Sequence, residues 1–337
     1  MNYLLLWAMI IFTLSLIMTG LLRRIALSRQ LLDVPNHRSS HSVATPRGGG
    51  VAIVIAFLAA LVLMHAFGFV GADSFIGLAG SSLLVAIIGF MDDLGHVAVR
   101  WRLLGQVFAS GWGLLWLGSP TLEFGGWEFN LGVAGYVIFT VYLVWMLNLY
   151  NFMDGIDGIA SVQALCACVG AGILYRSLGL DDLSYPVFAL AFATLGFLAW
   201  NFPPAKIFMG DAGSGFLGII LALLSLQAAQ YDPRLLAVWL VLLGVFIVDA
   251  TFTLLRRLLR GEKVYQAHRS HGYQNASRRY GGHLPVTMAV LIINIGWLFP
   301  IAWAIVTLRI NTAFGVFLAY VPLVALAVRM GAGREDQ

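Results

Sequence analysis

Three groups of acidic residues stand where long apolar stretches end, and they are the residues of this chain best suited to chemistry. Asp154 and Asp157 lie three apart in Asn151-Phe152-Met153-Asp154-Gly155-Ile156-Asp157-Gly158. Asp92 and Asp93 are adjacent in Met91-Asp92-Asp93-Leu94-Gly95, and Asp211 sits in Phe208-Met209-Gly210-Asp211-Ala212-Gly213. A carboxylate beside hydrocarbon is costly, so an ionisable group at a membrane edge reads as functional. Clustered carboxylates there suit a divalent cation. Mg²⁺ takes oxygen ligands, keeps several waters, and is held by one or two carboxylates plus substrate phosphates. Asp211, opening a helix in a Gly-rich turn, is the expected metal ligand, and Asn148 and Asn151 add neutral oxygens one turn apart. Asp92, Asp93, Asp154 and Asp157 are the candidate catalytic acids. A single acid in such a place could be only a helix cap; three clusters on one face would be more than that.

A cation site implies anionic substrates, and two loops carry groups that could hold them. Residues 33–50 combine His37, Arg38, Thr45 and Arg47 with the triplet Gly48-Gly49-Gly50, which opens a helix and so offers a setting for an anion. Residues 256–284 add Arg256, Arg257, Arg260, Lys263, His268, Arg269 and His271. Attraction to anionic lipid heads accounts for Arg23, Arg24, Arg278 and Arg279. It accounts less well for His-Arg-x-His, because neutral histidine adds no such attraction. Asp249, inside an apolar run, must either pair with a neighbouring basic group or line the cleft. A metal and basic loops beside lipid point to phosphoryl chemistry between a lipid-borne and a cytosolic substrate, with positioning and charge stabilisation doing most of the work.

The elements that would position these groups follow from composition. Of 337 residues, 60% are hydrophobic and 11% charged, and mean hydropathy is +0.87. Soluble domains carry about 25% charged residues, so the chain reads as an integral membrane protein. Apolar runs fall at 3–22, 48–67, 74–91, 103–118, 132–150, 158–177, 185–200, 213–230, 235–255, 285–307 and 311–329. They are continuous rather than alternating, which predicts an all-α polytopic protein of about eleven transmembrane helices in a single domain. Eleven crossings put all of the 20 basic residues on one side except Arg176, Arg234 and Arg309. The positive-inside rule makes that side cytoplasmic, with the N-terminus outside and the C-terminus inside. All three acidic clusters then share the cytoplasmic rim. Acids on the other face (Asp73, Glu123, Glu128, Asp181, Asp182, Asp232) read as ordinary solvated residues. The stretch Leu122 to Phe129, alternating around Gly125-Gly126, predicts a small external β-hairpin. The first run lacks a basic stretch before it and a cleavage site after it, so it reads as a retained span. Cys166 and Cys168 read as inert buried thiols. The basic residues form no extended face for nucleic acid.

Taken in order, the motifs resemble those of the polyprenyl-phosphate N-acetylhexosamine-1-phosphate transferases, glycosyltransferase family 4. They are Asp33-Val34-Pro35 with His37-Arg38 and Thr45-Pro46-Arg47-Gly48-Gly49, Asp92-Asp93, Asn148-x-x-Asn151 running into Asp154-Gly155-x-Asp157-Gly158, Asn201-Phe202-Pro203-Pro204, Phe208-Met209-Gly210-Asp211, and His268-Arg269-x-His271. The chain is most similar to the shorter, O-antigen-initiating members of the WbpL type. The resemblance implies transfer of a sugar 1-phosphate from a UDP-N-acetylhexosamine to undecaprenyl phosphate, with UMP released, in the bacterial inner membrane. It implies Mg²⁺ (or Mn²⁺ in its place) on Asp211 near Asn151, and Asp92 and Asp93 at the diphosphate or acceptor. It implies Phe208 against uracil, Asn201 and Asp157 beside the nucleoside, and His268, Arg269 and His271 on phosphate or sugar. Asn148, His37, Arg38, Thr45 and Arg47 complete the substrate-binding candidates. One departure stands out: Gly95-His96 follow Asp92-Asp93 where the longer D-D-x-x-K pattern has a basic residue, leaving Arg100 or Arg102 to serve.

The rival from another class is a secondary transporter. Carriers bind substrate near the midplane between internal repeats; here the acids lie at run ends and no repeat is visible. Which sugar is used, and whether the chain forms a homodimer, stay open, although two-fold dimers are the commonest oligomers.

Overall fold

The computed structural model describes residues 2–35, 43–95, 97–262 and 268–334. Every one of the apolar runs forms helix. The helices are α1 (Asn2–Ser28), α2 (Val51–Ala66), α3 (Ala72–Leu94), α4 (Val99–Leu117), α5 (Gly132–Met153), α6 (Ile159–Ser177) and α7 (Asp181–Asn201). They continue as α8 (Asp211–Tyr231), α9 (Arg234–Leu242), α10 (Gly244–Leu259), α11 (Gly272–Arg279), α12 (His283–Ile293), α13 (Phe299–Thr307) and α14 (Thr312–Arg329). Among the described residues eight helices are long and apolar enough to cross a membrane, or nine if α9 and α10 count as one bent span. The sequence expects eleven. The difference comes from α2, apolar but only 16 residues long, and from α4, whose Arg100, Arg102 and Gln106 dilute its apolar content.

α8 is the axis of the bundle, and its whole apolar window is buried. α3 and α5 pack along it. They come close because glycine removes the side chain between them, the device that membrane helices use where water supplies no driving force. A Cβ on Gly89 of α3 would meet the Asp211 carbonyl oxygen at 2.5 Å, and one on Gly218 of α8 would meet Leu147 Cα at 2.7 Å. On the other flank α7 lies between α1 and α6.

Two runs that read as single spans are interrupted. The run 235–255 bends by 76° between α9 and α10. The Leu242 carbonyl at the bend accepts a hydrogen bond from Gln163 Nε2 (2.8 Å), so a buried amide satisfies the backbone group that the break exposes. The run 285–307 passes from α12 to α13 through a π-helical turn, Asn294–Leu298. Pro300 follows it; proline has no N–H and crowds the preceding turn, which favours such a bulge.

Among the described residues sheet is confined to two short pairs. β1 (Leu32–Asp33) runs antiparallel to β2 (Thr45–Pro46), a pairing not foreseen from the sequence. β3 (Leu122–Phe124) and β4 (Trp127–Phe129) form the expected hairpin. Gly125 and Gly126 take φ of 65° and 90°, the two positive values that a tight hairpin turn needs.

Candidate active site

The site is built at the end of the bundle where α8 begins. Gly210 turns the chain with φ 78°, and α8 starts at Asp211. Asp93, buried at the end of α3, accepts the Asp211 N–H (3.0 Å) and the Ala212 N–H (3.1 Å), one on each carboxylate oxygen. Asp93 therefore caps α8 across the sequence, as an N-cap residue normally does from its own helix. Its backbone carbonyl accepts from the Arg47 guanidinium. Asp92 accepts the Val97 N–H (2.8 Å), pairs with Arg102 in the first turn of α4, and touches the Asp211 carboxyl. Arg102 also reaches Asp211 at 3.7 Å. Two carboxyl groups in contact need a proton or a cation between them.

The facing wall is the loop after α5. Asn201 Oδ1 accepts the Gly158 N–H (3.0 Å) and its Nδ2 donates to the Ile207 carbonyl (3.0 Å), stapling residues 154–158 to the loop that leads into α8. Asp157 accepts the Ala205 N–H (3.0 Å) and lies 3.0 Å from His283 Nδ1. Tyr273 of α11 donates its hydroxyl to the Phe152 carbonyl (2.9 Å). Asp154 stands at the end of α5, and burial holds its carboxyl well above the ordinary carboxylate range. The nearby negative charges of Asp211, Asp93 and Asp157 add to that shift.

Between these walls lies a cavity of about 310 Å³, lined by Arg47, Asp93, Asn151, Asp154, Asp157, Asn201, Phe208 and Asp211. Widely separated motifs thus converge on one space. A second, smaller cavity of about 60 Å³ shares Asn151 and Asp211 with the first and continues past them to Asp92, Arg102, Gln106 and Asn148. Asp211 and Asn151 form the partition. Among the described residues no three His, Cys, Asp or Glu side chains stand close enough to enclose a metal ion. The donors present, an accessible carboxylate on Asp211 with the Asn151 amide beside it, nevertheless fit Mg²⁺, which completes its shell with phosphate oxygens and water.

Several expected site residues have other work. Thr45 donates its hydroxyl to the Val43 carbonyl (3.0 Å) and lies outside both cavity linings. Asn148 is not an open metal ligand: its amide pairs with Gln106, Nδ2 donating to Oε1 at 2.8 Å. The glycine triplet is not an anion cradle, because Gly49 and Gly50 donate their N–H groups to the Phe208 and Met209 carbonyls (both 2.9 Å). A Cβ on Gly50 would fall 2.4 Å from Gly213 Cα, so these glycines serve close packing of α2 on α8. His268, Arg269 and His271 lie outside both linings. His268 stacks on His271 at 4.8 Å between ring centres. Burial, then the charges of His271 and Arg257, push its pKa down to about 3, so it is neutral at physiological pH. His37, Arg38 and His96 lie outside the described residues. Asp249 lies outside the acid cavity and has a basic neighbour, His271 Nδ1 at 3.6 Å; it also caps α11, accepting the Gly272 and Tyr273 N–H groups (both 2.8 Å).

Other residues complete the site without having been expected there. Ser214, Gln274 and His283 line the larger cavity, and Gln106 the smaller. The Arg102/Gln106 spacing of four on one helix face was a usable signal. A histidine directly after Gly281-Gly282 at a helix start was another.

Fold and site together define a multi-pass membrane protein with a carboxylate-lined cavity at one end of its helix bundle. The family model described as Glycosyl transferase family 4 matches residues 75–229, which hold Asp92, Asp93, Asn151, Asp154, Asp157, Asn201, Phe208 and Asp211. A probable undecaprenyl-phosphate N-acetylglucosaminyl 1-phosphate transferase of Bacillus subtilis is 30% identical over 330 residues, covering 93% of this chain and 87% of the relative. The decaprenyl-phosphate N-acetylglucosaminephosphotransferase of Mycolicibacterium smegmatis is 30% identical over 326 residues, covering 85% and 77%. The undecaprenyl-phosphate alpha-N-acetylglucosaminyl 1-phosphate transferase of Thermotoga maritima is 30% identical over 267 residues, covering 79% and 80%. The chain belongs to glycosyl transferase family 4.

Proposed function

We propose that this protein transfers an N-acetylhexosamine 1-phosphate from a UDP-sugar to undecaprenyl phosphate, releasing UMP and starting an O-antigen or related envelope polysaccharide. UDP-N-acetylglucosamine and its 6-deoxy relatives are the donors to try first. The observation that carries the reading is the pair of cavities meeting at Asp211 and Asn151. A reaction between two phosphates needs two adjoining pockets with charge control at the seam. The larger takes the nucleotide sugar; the smaller, with Arg102 as its cation, takes the acceptor phosphate. The names of the relatives in Bacillus subtilis and Thermotoga maritima support the same substrate classes.

In this mechanism the acceptor arrives largely ionised, since a phosphate monoester loses its second proton near pH ~6. Arg102 draws it to the seam while Asp92 orients it or takes its last proton. A phosphate oxygen attacks the β-phosphorus of the nucleotide sugar, a new P–O–P bond forms, and the bond to UMP breaks. Arg47, a cation of the larger cavity's lining, faces the diphosphate and offsets its charge. Asp211 and Asn151 would hold Mg²⁺ or Mn²⁺, which when bound supplies neutralising charge to the phosphates. Direct attack and a covalent aspartyl-phosphate route differ in outcome: a phosphorylated Asp92 trapped in single turnover would favour the second.

The positive-inside count supports eleven crossings, the N-terminus outside, and both cavities open to the cytoplasm. Incubating purified protein with Mg²⁺, undecaprenyl phosphate and a panel of UDP-sugars tests the reading. UMP and a sugar-diphosphate lipid should appear together; neither forming with any donor overturns it. Cysteines at positions 92 and 211 should both label from the cytoplasmic side, and opposite labelling would overturn the shared rim.

A further inference from the structure

We infer that His283 is a positioning residue that sets Asp157 for the nucleotide sugar. This rests on the transfer reaction proposed above. His283 opens α12 and lines the larger cavity beside Asp157. Its Nδ1 lies 3.0 Å from Asp157 Oδ1 and 3.3 Å from the Asp157 backbone nitrogen. One nitrogen cannot accept from the N–H and donate to the carboxylate at once. The shorter, charge-assisted contact decides, so Nδ1 carries the proton and donates to Oδ1. The second carboxylate oxygen accepts from Ala205.

Three points of attachment therefore converge on one residue. Thr287, one turn beyond His283, donates its hydroxyl to the Asp157 carbonyl (2.8 Å). The carboxylate is held on one side by α12 and on the other by the loop before α8. The next residue leaves no slack: Gly158 has φ 74°, and a Cβ there would stand 3.2 Å from Pro203 Cδ and 3.4 Å from Thr287 Cγ2. Both side chains are largely shielded from water, His283 at 14% exposed and Asp157 at 12%.

The consequence for function is asymmetric. Asp157 and His283 line only the larger cavity, whereas Asp92, Arg102, Gln106 and Asn148 line only the smaller. Loss of the His283 donor frees the Asp157 carboxylate to turn within the donor cavity and leaves the acceptor cavity intact. His283 also lies outside the stretch matched by the family model, so part of the donor site is supplied by the chain beyond that stretch.

UMP release measured against each substrate in turn tests this on the full-length protein. His283→Ala should raise KM for the UDP-sugar roughly ten- to hundred-fold, the range of one hydrogen bond to a charged group. KM for undecaprenyl phosphate should stay within about two-fold, since no acceptor-side contact changes. His283→Asn, whose amide N–H can stand near the Nδ1 position, should recover most of the loss, and His283→Gln less. Combined with Asp157→Asn, His283→Ala should add less than about three-fold, because both remove one interaction. Unchanged donor KM, an equal rise in both KM values, or an additive double variant overturns the inference. Should His283→Ala not fold, the order of Asn over Gln decides, and the reverse order overturns it. Wild-type protein that releases no UMP overturns the transfer reaction itself; wild-type turnover with an indifferent His283→Ala overturns only this step.

Discussion

The two ends of the bundle treat their acids differently. At the hairpin end three of the loop acids, Asp232, Asp181 and Glu123, have a partner close by in the chain. Asp232 takes the Arg234 fork, with Nε at 3.0 Å and Nη2 at 2.6 Å. Asp181 stands 3.6 Å from Arg176, and Glu123 accepts the Gly126 N–H at 2.7 Å. At the other end Asp33, Asp92, Asp93, Asp154, Asp157 and Asp211 line two joined cavities in which Arg47 and Arg102 are the lining cations. Some of these acids are spoken for, Asp93 by α8 and Asp157 by His283 and Ala205. Asp92 and Asp211 touch each other, and Asp154 is held above its normal range by burial and then by the charges of Asp211, Asp93 and Asp157. A paired acid shapes a turn. A surplus of acids whose mutual repulsion the fold tolerates is an arrangement that a cation relieves.

The contrast breaks or holds first at Asp211. Asp211→Asn keeps the size and the helix start but removes the charge at the seam. Turnover should fall about 10³-fold or more, the scale of losing a metal-held or charge-stabilising contact in the transition state. Thermal unfolding in detergent should change little, because Asp211 is partly exposed and its N–H still reaches Asp93. Retained turnover with unchanged metal dependence would put the metal elsewhere. Asp93→Ala sharpens the distinction between the neighbouring acids. It removes the cap of α8, so it should cost about 1–2 kcal/mol of stability as well as activity. Arg102→Ala should raise KM for the lipid acceptor about ten- to hundred-fold while sparing the donor, the mirror image of the His283 result.

How much of this was legible in the sequence depended on whether the partner lay nearby in the chain. The hairpin was legible because Gly125-Gly126 carries its own turn geometry. The shared rim was legible because Asp92, Asp154 and Asp211 each mark where hydrocarbon ends. The break between α9 and α10 was not, since Leu243-Gly244 has no proline and the group that supports it, Gln163, is 79 positions away from Leu242. The glycine triplet misled for a related reason. A Gly-rich helix start looks the same whether its N–H groups face an anion or, as here, the Phe208 and Met209 carbonyls. Asp249 announced that a buried carboxylate had a purpose but not that the purpose was to cap α11. His283 lay outside the quoted motifs, and only folding brings it to Asp157.

A smaller effect separates the crowded acids from the paired ones by pH. Asp154 has a folded-state pKa raised above its unfolded value of 3.8, by burial and then by neighbouring negative charge. For a raised carboxyl the folded state binds the proton more tightly. Its contribution to stability is full below the unfolded value and is lost as pH rises through the folded one. Asp154→Asn mimics the protonated form permanently. Measured without metal or substrate, wild-type melting temperature should fall as pH rises through that window, while the variant stays flatter. Parallel curves would mean that neither burial nor its neighbours raise the Asp154 carboxyl.

The least effect belongs to the hairpin end, and its smallness is informative. Glu123→Gln keeps an oxygen for the Gly126 N–H, and Asp182→Asn changes an exposed residue in the first turn of α7. Asp182 is an exposed charge, worth about 0–1 kcal/mol, Glu123 is half-buried but keeps its hydrogen bond as Gln, and neither touches either cavity. Turnover and both KM values should stay within about two-fold of wild type. The expectation is strict because the alternative makes the opposite demand. A carrier that exposes its substrate to each face in turn would need groups at this end as well, and charge removal there would slow it. A strong loss in either variant, with stability unchanged, would move the functional centre away from the α8 rim and undo the contrast between the two ends.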